Sequence, residues 1–250
     1  MEHIGASSET VALVTGANKG IGRETARRLA ALGMTVLVGA RDRGRGERTV
    51  AELRAAATGA RFELIHIDVA SDDSVVAAAR DVERQFHRLD VLVNNAGIAV
   101  DGGPPSKQSL SAMRTMFDTN FFGTVAVTQA FLPLLRKAPA GRIVNVTSSL
   151  GSLGLASNPE TAVSRQLAYF GYSATKTALN ELTVRLASEL RADSAIKVNS
   201  ACPGYVATDL NRHSGPRTVE QGAEIIVKLS TLGPDGPSGG VYDDAGPVPW

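Results

Sequence analysis

Short apolar runs alternate along the chain with longer segments in which apolar residues recur every three or four positions. Runs such as TVALVTG, MTVLVGA and LDVLVNNAG are typical of strands buried on both faces, whereas IGRETARRLAALG has the spacing of a helix that ends at Gly33. Further strands are predicted at RFELIHIDV, GRIVNVTSS, IKVNSACPG and GGVYDD. Strands that alternate with helices indicate a parallel sheet covered on both faces.

The helices between these strands complete the prediction of a single doubly wound α/β domain with about seven strands. They are predicted at ERTVAELRAAA, at SDDSVVAAARDVERQF, over most of residues 107–137, at residues 172–192 and at VEQGAEIIVKLST. No repeat or long linker divides residues 1–250, so one domain is expected. An N-terminal tail covers about residues 1–8, and the Pro- and Gly-rich segment from about 233 to 250 is expected to be largely loop.

Composition excludes several classes of protein and partner. The chain has 250 residues, 43% hydrophobic and 20% charged, as in ordinary soluble proteins, and its net charge of +1 favours neither nucleic acid nor an anionic membrane. Its one cysteine, Cys202, allows no intrachain disulfide and no cysteine-based zinc site, and no metal is expected. No signal peptide or apolar run of roughly 20 residues is present, which predicts a cytoplasmic protein.

A glycine-rich turn, GANKGIG at residues 16–22, separates the first predicted strand from the first helix. Glycines permit the tight turn and let a pyrophosphate approach the backbone, while the helix N-terminus attracts the negative charge. The spacing differs from the general G-x-G-x-x-G fingerprint, and a glycine-rich turn alone is also compatible with a purely structural role. Its place between strand and helix favours a dinucleotide site of Rossmann type.

The residues that end the second strand bear on which dinucleotide is bound. Ala40 occupies the position at which an acidic residue would accept a hydrogen bond from the ribose 2′-hydroxyl of NAD. Arg41 follows it, and an arginine here suits the 2′-phosphate of NADP. Lys19, in the glycine turn, supplies a second cation for the same phosphate. Asp42 is a competing candidate for the acidic residue that binds NAD. If the end of the second strand is shifted by two positions, Asp42 takes the place of Ala40, and Arg41 is then only a surface charge. We favour NADP(H).

Tyr172 and Lys176 are four positions apart in YSATK, so a helix there directs both into one cleft. A phenol, with a pKa of about 10, is a poor acid-base catalyst at neutral pH. We expect the nearby ammonium to lower the pKa of Tyr172 and fit it for proton transfer. Pairs with this spacing are common by chance, and the position after the fifth predicted strand is what makes this one informative.

Six segments together resemble the short-chain dehydrogenase/reductase family over nearly the whole chain. They are TGANKGIG at 15–22, NNAG at 94–97, TNFFG around Asn120, IVNVTSS at 143–149, YSATK at 172–176 and PGYVAT at 203–208. The similarity is greatest to NADPH-dependent carbonyl reductases. It implies that residues 1–250 form a single dinucleotide-binding and catalytic domain.

The resemblance also implies a role for each site residue. Tyr172 gives a proton to a carbonyl oxygen, Ser148 hydrogen-bonds that oxygen, and Lys176 holds the nicotinamide ribose. Asn120 maintains the local helix geometry and a water that links Lys176 to solvent. The residues implied to bind the cofactor are Gly16, Asn18, Lys19, Gly20, Ile21, Gly22, Arg41, Asp68, Val69, Asn95, Ala96, Gly97, Tyr172, Lys176, Pro203, Gly204, Val206 and Thr208.

Within this set, Asp68 and Val69 are implied to contact the adenine, NNAG to line the adenine side, and Thr208 to bond the carboxamide. Strand alternation does not choose between Ser148 and Ser149, and family alignment selects Ser148. NNAG is equally compatible with a structural turn, because Asn and Gly favour turns.

The chain departs from the family pattern between Ser148 and Tyr172, which lie further apart than is usual. A longer insertion at this place in carbonyl reductases interferes with the helix face used for tetramer packing. By analogy we favour a monomer, while a homo-oligomer and a plain surface loop remain open.

The sequence therefore predicts a reductase that uses NADPH to convert a ketone or aldehyde to an alcohol, with a small-molecule carbonyl compound as its partner. An NAD-linked dehydrogenase of a secondary alcohol is the first alternative. A regulator that senses NADP without catalysis is the second, and the complete set of proton-transfer residues argues against it.

Overall fold

A computed structural model of the protein describes residues 9–191 and 195–250. The predicted tail, residues 1–8, and the last position of the helix predicted at 172–192 lie outside the described residues. Within them, eight strands form one sheet in the order β3-β2-β1-β4-β5-β6-β7-β8. The strands are β1 Val11–Val14, β2 Thr35–Ala40, β3 Arg61–His66, β4 Val91–Asn94, β5 Arg142–Val146, β6 Lys197–Ala201, β7 Val241–Asp243 and β8 Gly246–Pro247.

All neighbouring strands from β3 to β7 are parallel, and the two-residue β8 is antiparallel to β7. The doubly wound parallel sheet predicted from the sequence is confirmed, with β8 as the addition. Eight helices accompany the strands within the described residues. They are α1 Gly20–Ala31, α2 Arg43–Ala56, α3 Asp72–Phe86, α4 Leu110–Phe117, α5 Gly123–Leu135, α6 Leu153–Ser157, α7 Phe170–Glu189 and α8 Val219–Ser230. None of them is long and apolar enough to cross a membrane.

Two apolar cores lie on opposite faces of the sheet, because successive side chains of a strand point to opposite faces. Ala12 and Val14 pack in one core with helices α1, α2 and α8, and Val11 and Leu13 pack in the other with α3, α5 and α7. Both faces of β1 are thus buried. This double burial is the reason why the strand has a continuous apolar run.

The chain order reverses at β1, which lies between β2 and β4 in the sheet. In doubly wound sheets a crevice opens at the carboxyl ends of the strands at such a switch point. The segments with recognisable chemistry all follow a strand end. The glycine turn follows β1, Arg41 follows β2, Asn95 follows β4 and Ser148 follows β5. The topology therefore brings them to one edge of the sheet.

A chain of buried polar side chains crosses the sheet. Asn145, in the centre of β5, accepts a hydrogen bond from Asn94 Nδ2 (2.9 Å) and donates one to Thr183 Oγ1 (2.8 Å). Thr183 in turn bonds the Ser200 hydroxyl at 2.8 Å. The chain joins β4, β5 and β6 to α7, the helix that carries Tyr172.

The Asn145→Ala substitution should lower the free energy of unfolding by about 2–4 kcal/mol, because it leaves buried donors and acceptors without partners and opens a small cavity. Urea denaturation measures the difference. Gln85→Ala, on the exposed surface of α3, is the matched control and should change stability by less than about 0.5 kcal/mol. Equal losses in the two variants would contradict the role given to Asn145.

Candidate active site

A cleft of about 910 Å³ lies along the carboxyl edge of the sheet. Every residue that the sequence assigned to cofactor binding lines this cleft, and so does Ser148. Asn120 lies behind the wall rather than on it. The role of each of these residues stays a prediction.

The glycine turn needs glycine at two of its positions for different reasons. Gly16 has φ +64°, and a Cβ there would lie 3.0 Å from the backbone of Ala96. A Cβ on Gly22 would collide with the Asn95 amide and lie 2.8 Å from Gly16 O. Gly22 therefore allows the first turn of α1 to pack directly on the chain that leaves β4.

The N-terminus of α1 is suited to a phosphate group. Lys19 is the N-cap residue, its side chain makes no capping bond, and the first turn of residues 20–23 holds no acidic side chain. The backbone N–H groups at this end and the positive end of the helix dipole are thus available to an anion. Together with the space left by the glycines, this end of the cleft fits the pyrophosphate of a dinucleotide.

The two predicted cations differ in their surroundings. Lys19 Nζ lies 2.6 Å from Asp209 Oδ2, in an ion pair whose side chains are both more than half exposed. The Arg41 guanidinium makes no ion pair with any residue that the structure describes. Of the two, Arg41 therefore has no carboxylate among the described residues to neutralise it. Lys19 can act as the second cation for the phosphate only if its ion pair with Asp209 breaks.

Asp42, the competing candidate for an NAD-binding acid, is the N-cap of α2. Its Oδ1 accepts a hydrogen bond of 2.8 Å from Arg45 N, and this bond holds the pKa of the carboxyl below its usual value. β2 ends at Ala40. The Asp42 carboxylate is therefore occupied as the N-terminal cap of α2.

The NNAG segment has a structural role that the sequence left open. Asn95 Nδ2 donates to Thr15 O at 2.8 Å, and Thr15 Oγ1 accepts from the backbone N–H groups of Asn95 and Ala96, both at 3.0 Å. These bonds fix the segment to the glycine turn. Thr15, which the sequence did not single out, is recognisable only by its place just before Gly16.

NNAG also extends further along the cleft than its predicted place at the adenine side. A Cβ on Gly97 would lie 3.7 Å from Lys176 Nζ and 3.4 Å from Asn120 Oδ1. The end of the segment is therefore beside the predicted catalytic residues.

The three adjacent hydroxyls after β5 have different partners. Thr147 is buried, and its Oγ1 donates to Asn180 Oδ1 at 2.8 Å. Ser149 lies against the Cys202 thiol, whose pKa is raised by burial. Ser148 Oγ accepts from Leu150 N at 3.2 Å, and its own proton has no acceptor among the described residues. Ser148 is the one of the three whose hydroxyl neither donates to a described residue nor lies against the Cys202 thiol.

Tyr172 and Lys176 lie on one face of α7, as their spacing predicted. The Lys176 ammonium is 5.5 Å from the centre of the Tyr172 ring and donates to Val146 O at 2.8 Å. Lys176 is 4% exposed, and burial lowers its pKa to about 8.

The prediction of a net lowering of the Tyr172 pKa is wrong. Burial raises the pKa of Tyr172 above its usual value, and the Cys202 side chain adds to the increase. The ammonium makes its hydrogen bond to a backbone carbonyl and not to the phenol. Tyr172 is therefore fully protonated at neutral pH.

Asn120 lies in a single π-helical turn, Asp118–Phe122, that joins α4 to α5. Its Oδ1 accepts from Ile98 N at 2.8 Å, and its Nδ2 donates to Ile98 O at 2.9 Å and to Thr175 Oγ1 at 3.1 Å. The sequence predicted a helix through this region but gave no sign of the π turn. One buried amide thus joins the chain after β4 to the helix of Tyr172.

Residues 10–218 match the family described as short chain dehydrogenase. The chain belongs to this family. Its predicted membership is confirmed, and so is its nature as an oxidoreductase. Members of the family bind a nicotinamide cofactor, in keeping with the cleft and the free N-terminus of α1.

Known relatives align with this short-chain dehydrogenase over nearly its whole length. It is 36% identical over 266 residues to carbonyl reductase (NADPH) 1 of Homo sapiens, covering 92% of this chain and 94% of the relative. It is 38% identical over 232 residues to the short-chain dehydrogenase anuI of Penicillium roqueforti, covering 91% of each. Among solved structures, salutaridine reductase of Papaver somniferum has a TM-score of 0.79 at 27% identity, covering 94% of this chain and 99% of that one.

The buried ammonium of Lys176 makes stability depend on pH. Its pKa of about 8 in the folded protein lies below the ordinary 10.5, so between these values the unfolded chain holds a proton that the native protein has lost. The free energy of unfolding therefore rises with pH through this window. Relative to Lys176→Met, the wild type should gain about 2 kcal/mol from pH 7 to pH 9.5.

Urea denaturation of both proteins at the two pH values measures the gain. Lys228→Met, at an exposed position of α8, is the control and should show no such dependence relative to the wild type. A constant difference between wild type and Lys176→Met at both pH values would show that the Lys176 pKa is not lowered.

Proposed function

We propose that this short-chain dehydrogenase reduces a ketone or an aldehyde to an alcohol with NADPH. The observation that carries the proposal is the convergence of a free Ser148 hydroxyl, a protonated Tyr172 and the Lys176 ammonium in one dinucleotide-sized cleft. The carbonyl reductases among its relatives support this choice of substrate class. A small-molecule carbonyl partner and a cytoplasmic location go with the proposal, and the oligomeric state stays a prediction.

Two hydroxyl groups act on the substrate carbonyl in this proposal. Ser148 donates its unused proton in a hydrogen bond to the carbonyl oxygen and stabilises the negative charge that develops there. Tyr172 transfers its proton to the same oxygen as the carbonyl carbon is reduced. Bound NADPH supplies the hydride that this carbon accepts. With its pKa raised by burial, Tyr172 holds its proton at neutral pH, which is the state from which it donates.

Lys176 stabilises the phenolate that Tyr172 leaves behind. Below a pH of about 8 it carries a positive charge 5.5 Å from the ring centre. An ammonium has three donors, and Val146 O takes one of them. The remaining donors are assigned to the hydroxyls of the nicotinamide ribose. Asn120 keeps this part of the chain in place through its three side-chain bonds and is proposed to hold the water that links Lys176 to solvent.

The other residues on the cleft wall are proposed to hold the cofactor along its length. Asp68 and Val69 follow β3 and are assigned to the adenine, and the N-terminus of α1 is assigned to the pyrophosphate. Pro203, Val206 and Thr208 are assigned to the nicotinamide end, with Thr208 on the carboxamide.

Preference for NADPH over NADH rests on Arg41. Arg41 lines the cleft and makes no ion pair in the described part of the chain, and a bidentate arginine suits a phosphate group. The capping role of Asp42 supports the same choice, because its carboxylate is occupied by Arg45 N.

Turnover with purified protein tests the proposal first. Cofactor absorbance is followed at neutral pH with NADPH or NADH and a panel of aldehydes, ketones, keto esters and quinones. Oxidation of NADPH that depends on a carbonyl compound, and much less of NADH, is the expected result. Turnover mainly with NADH would support the NAD-linked alternative, and binding of NADPH without turnover of any compound would support the sensor.

Tyr172→Phe should lower kcat by about 10²- to 10⁴-fold, because the variant loses the group that gives the proton. Binding of NADPH, measured by fluorescence titration, should change little, since the ring and Lys176 remain. Tyr242→Phe, on β7 and outside the cleft lining, is the control and should keep wild-type turnover. Full activity in Tyr172→Phe would refute the mechanism.

Arg41→Asp should weaken NADPH binding by about 10- to 100-fold and leave NADH binding within a few-fold, because the charge-assisted bond to the 2′-phosphate is replaced by repulsion. The ratio of kcat/KM values for the two cofactors measures the change. Arg80→Asp, on exposed α3, makes the same change of charge away from the cleft and is the control. An unaltered ratio in Arg41→Asp would leave Arg41 as a surface charge.

A further inference from the structure

The insertion between Ser148 and Tyr172 forms one wall of the cleft. Its central part contains a single 3₁₀ turn at Val163–Arg165, and Ala162, Val163, Gln166 and Tyr169 line the cleft. We call these four residues the insertion wall. The earlier part of the insertion is fixed elsewhere, since Ser152 Oγ donates to Pro249 O at 2.6 Å. The extra residues therefore contribute to the site and not only to the outer surface.

Tyr169 is held firmly at the end of this wall. Its backbone pairs with Gly103 in an isolated parallel bridge, and its carbonyl accepts from Ser173 N at 2.8 Å in the first turn of α7. A Cβ on Gly102 would lie 2.6 Å from Ala168 O, so the two segments are in close contact. Because Tyr169 is the N-cap of α7, the helix that positions Tyr172 also positions the Tyr169 ring.

The Tyr169 ring is exposed to the cleft and has no aromatic partner. It is 38% exposed, and Tyr205, on the loop after β6, is 50% exposed and lines the same cleft. Neither ring packs against another aromatic ring of the described chain. Tyr205 is further restrained by the hydrogen bond of its hydroxyl to Ser214 Oγ, at 2.5 Å. Exposed rings on fixed supports leave apolar faces that a flat ligand can cover.

The charged residues of the cleft lining bear on whether the substrate is charged. Apart from Lys176, the cations of the described lining are Lys19, Arg23, Arg27 and Arg41, which all belong to the glycine turn, α1 or the end of β2. None of these cations belongs to the insertion wall, and the same cleft lining includes the apolar residues Ile98, Leu150 and Leu210. The insertion wall itself therefore offers no lysine or arginine as counter-charge to an anionic substrate.

We propose that Tyr169 is a specificity-determining residue, whose ring packs against the flat ring of an uncharged aryl ketone and directs the carbonyl group to Tyr172 and Ser148. This inference rests on the proposed reductase activity. Offset or edge-on packing of two aromatic rings adds to the energy of apolar burial, and a saturated ring of equal size does not gain this addition.

The test compares acetophenone with cyclohexyl methyl ketone, two ketones of similar size that differ in the aromaticity of the ring. The ratio of their kcat/KM values with NADPH is measured for the wild type, Tyr169→Leu, Tyr169→Phe and Leu167→Ala. Comparing the ratio between variants removes the intrinsic difference in ketone reactivity. Leu167 is 61% exposed in the same insertion, outside the cleft lining, and provides the matched control.

Tyr169→Leu should lower the acetophenone preference by about three- to tenfold, while Tyr169→Phe and Leu167→Ala keep the wild-type ratio. Equal losses for both ketones in Tyr169→Leu indicate a purely structural role and overturn the inference. An unchanged ratio in Tyr169→Leu, or a loss as large in Tyr169→Phe, overturns it as well. Failure of the wild type to reduce either ketone, or any other carbonyl compound, overturns the proposed function and this inference with it.

A second test measures inhibition of the wild-type protein, so its result does not depend on the folding of a variant. Benzamide and cyclohexanecarboxamide carry the same two rings on an unreactive carbonyl group. Benzamide should inhibit competitively against the ketone with an inhibition constant about three- to tenfold lower. Equal inhibition by the two amides, with ketone reduction intact, overturns the specificity inference and leaves the proposed function standing.

Discussion

The buried side-chain amide of Asn120 is the interaction on which the arrangement of the site depends. It makes two hydrogen bonds to the backbone of Ile98 and one to Thr175, so it ties the chain after β4 to α7 from a position between α4 and α5. Asn120 is 1% exposed, and losing any of these bonds would leave a buried polar group unsatisfied. The π turn that places its amide there is thus a stable part of the fold, and the register of Tyr172 and Lys176 against Gly97 follows from it.

Polar groups beneath the cleft extend the same constraint through the sheet. Asn94, Asn145 and Thr183 are all buried and bonded in sequence, which links β4 and β5 to the helix of Tyr172. An apolar core tolerates small shifts, whereas a chain of directional bonds holds its members at fixed separations. Lys176 depends on such rigidity, because its ammonium has a backbone carbonyl as its hydrogen-bond acceptor and makes no ion pair with a carboxylate in the described part of the chain. The hydrogen-bonded polar side chains beneath the cleft therefore hold the ammonium of Lys176 in place, although its burial is unfavourable.

The sequence predicts the features that local patterns determine. Strands buried on both faces produce continuous apolar runs, and the spacing of Tyr172 and Lys176 places them on one helix face. The π turn at Asn120 was not predictable, because its cause is a tertiary bond to Ile98 and not a local preference. The direction of the Tyr172 pKa shift was predicted wrongly, since burial outweighs a cation whose hydrogen bond goes elsewhere. Strand alternation alone left Ser148 and Ser149 open, and the neighbours that distinguish their hydroxyls are brought near only by the fold.

Burial shifts the pKa values of the two groups at the centre of the site in opposite directions. It raises the pKa of the Tyr172 phenol and lowers that of the Lys176 ammonium, in each case by disfavouring the charged form. At neutral pH the phenol keeps its proton, and the lysine, with a pKa of about 8, is still largely charged. In the proposed reduction, proton transfer would turn the phenol into an anion beside that cation, and each charge would reduce the cost of burying the other. Under this proposal the site begins with its buried cation unpaired and pairs it during proton transfer, which is a differential stabilisation that lowers a barrier.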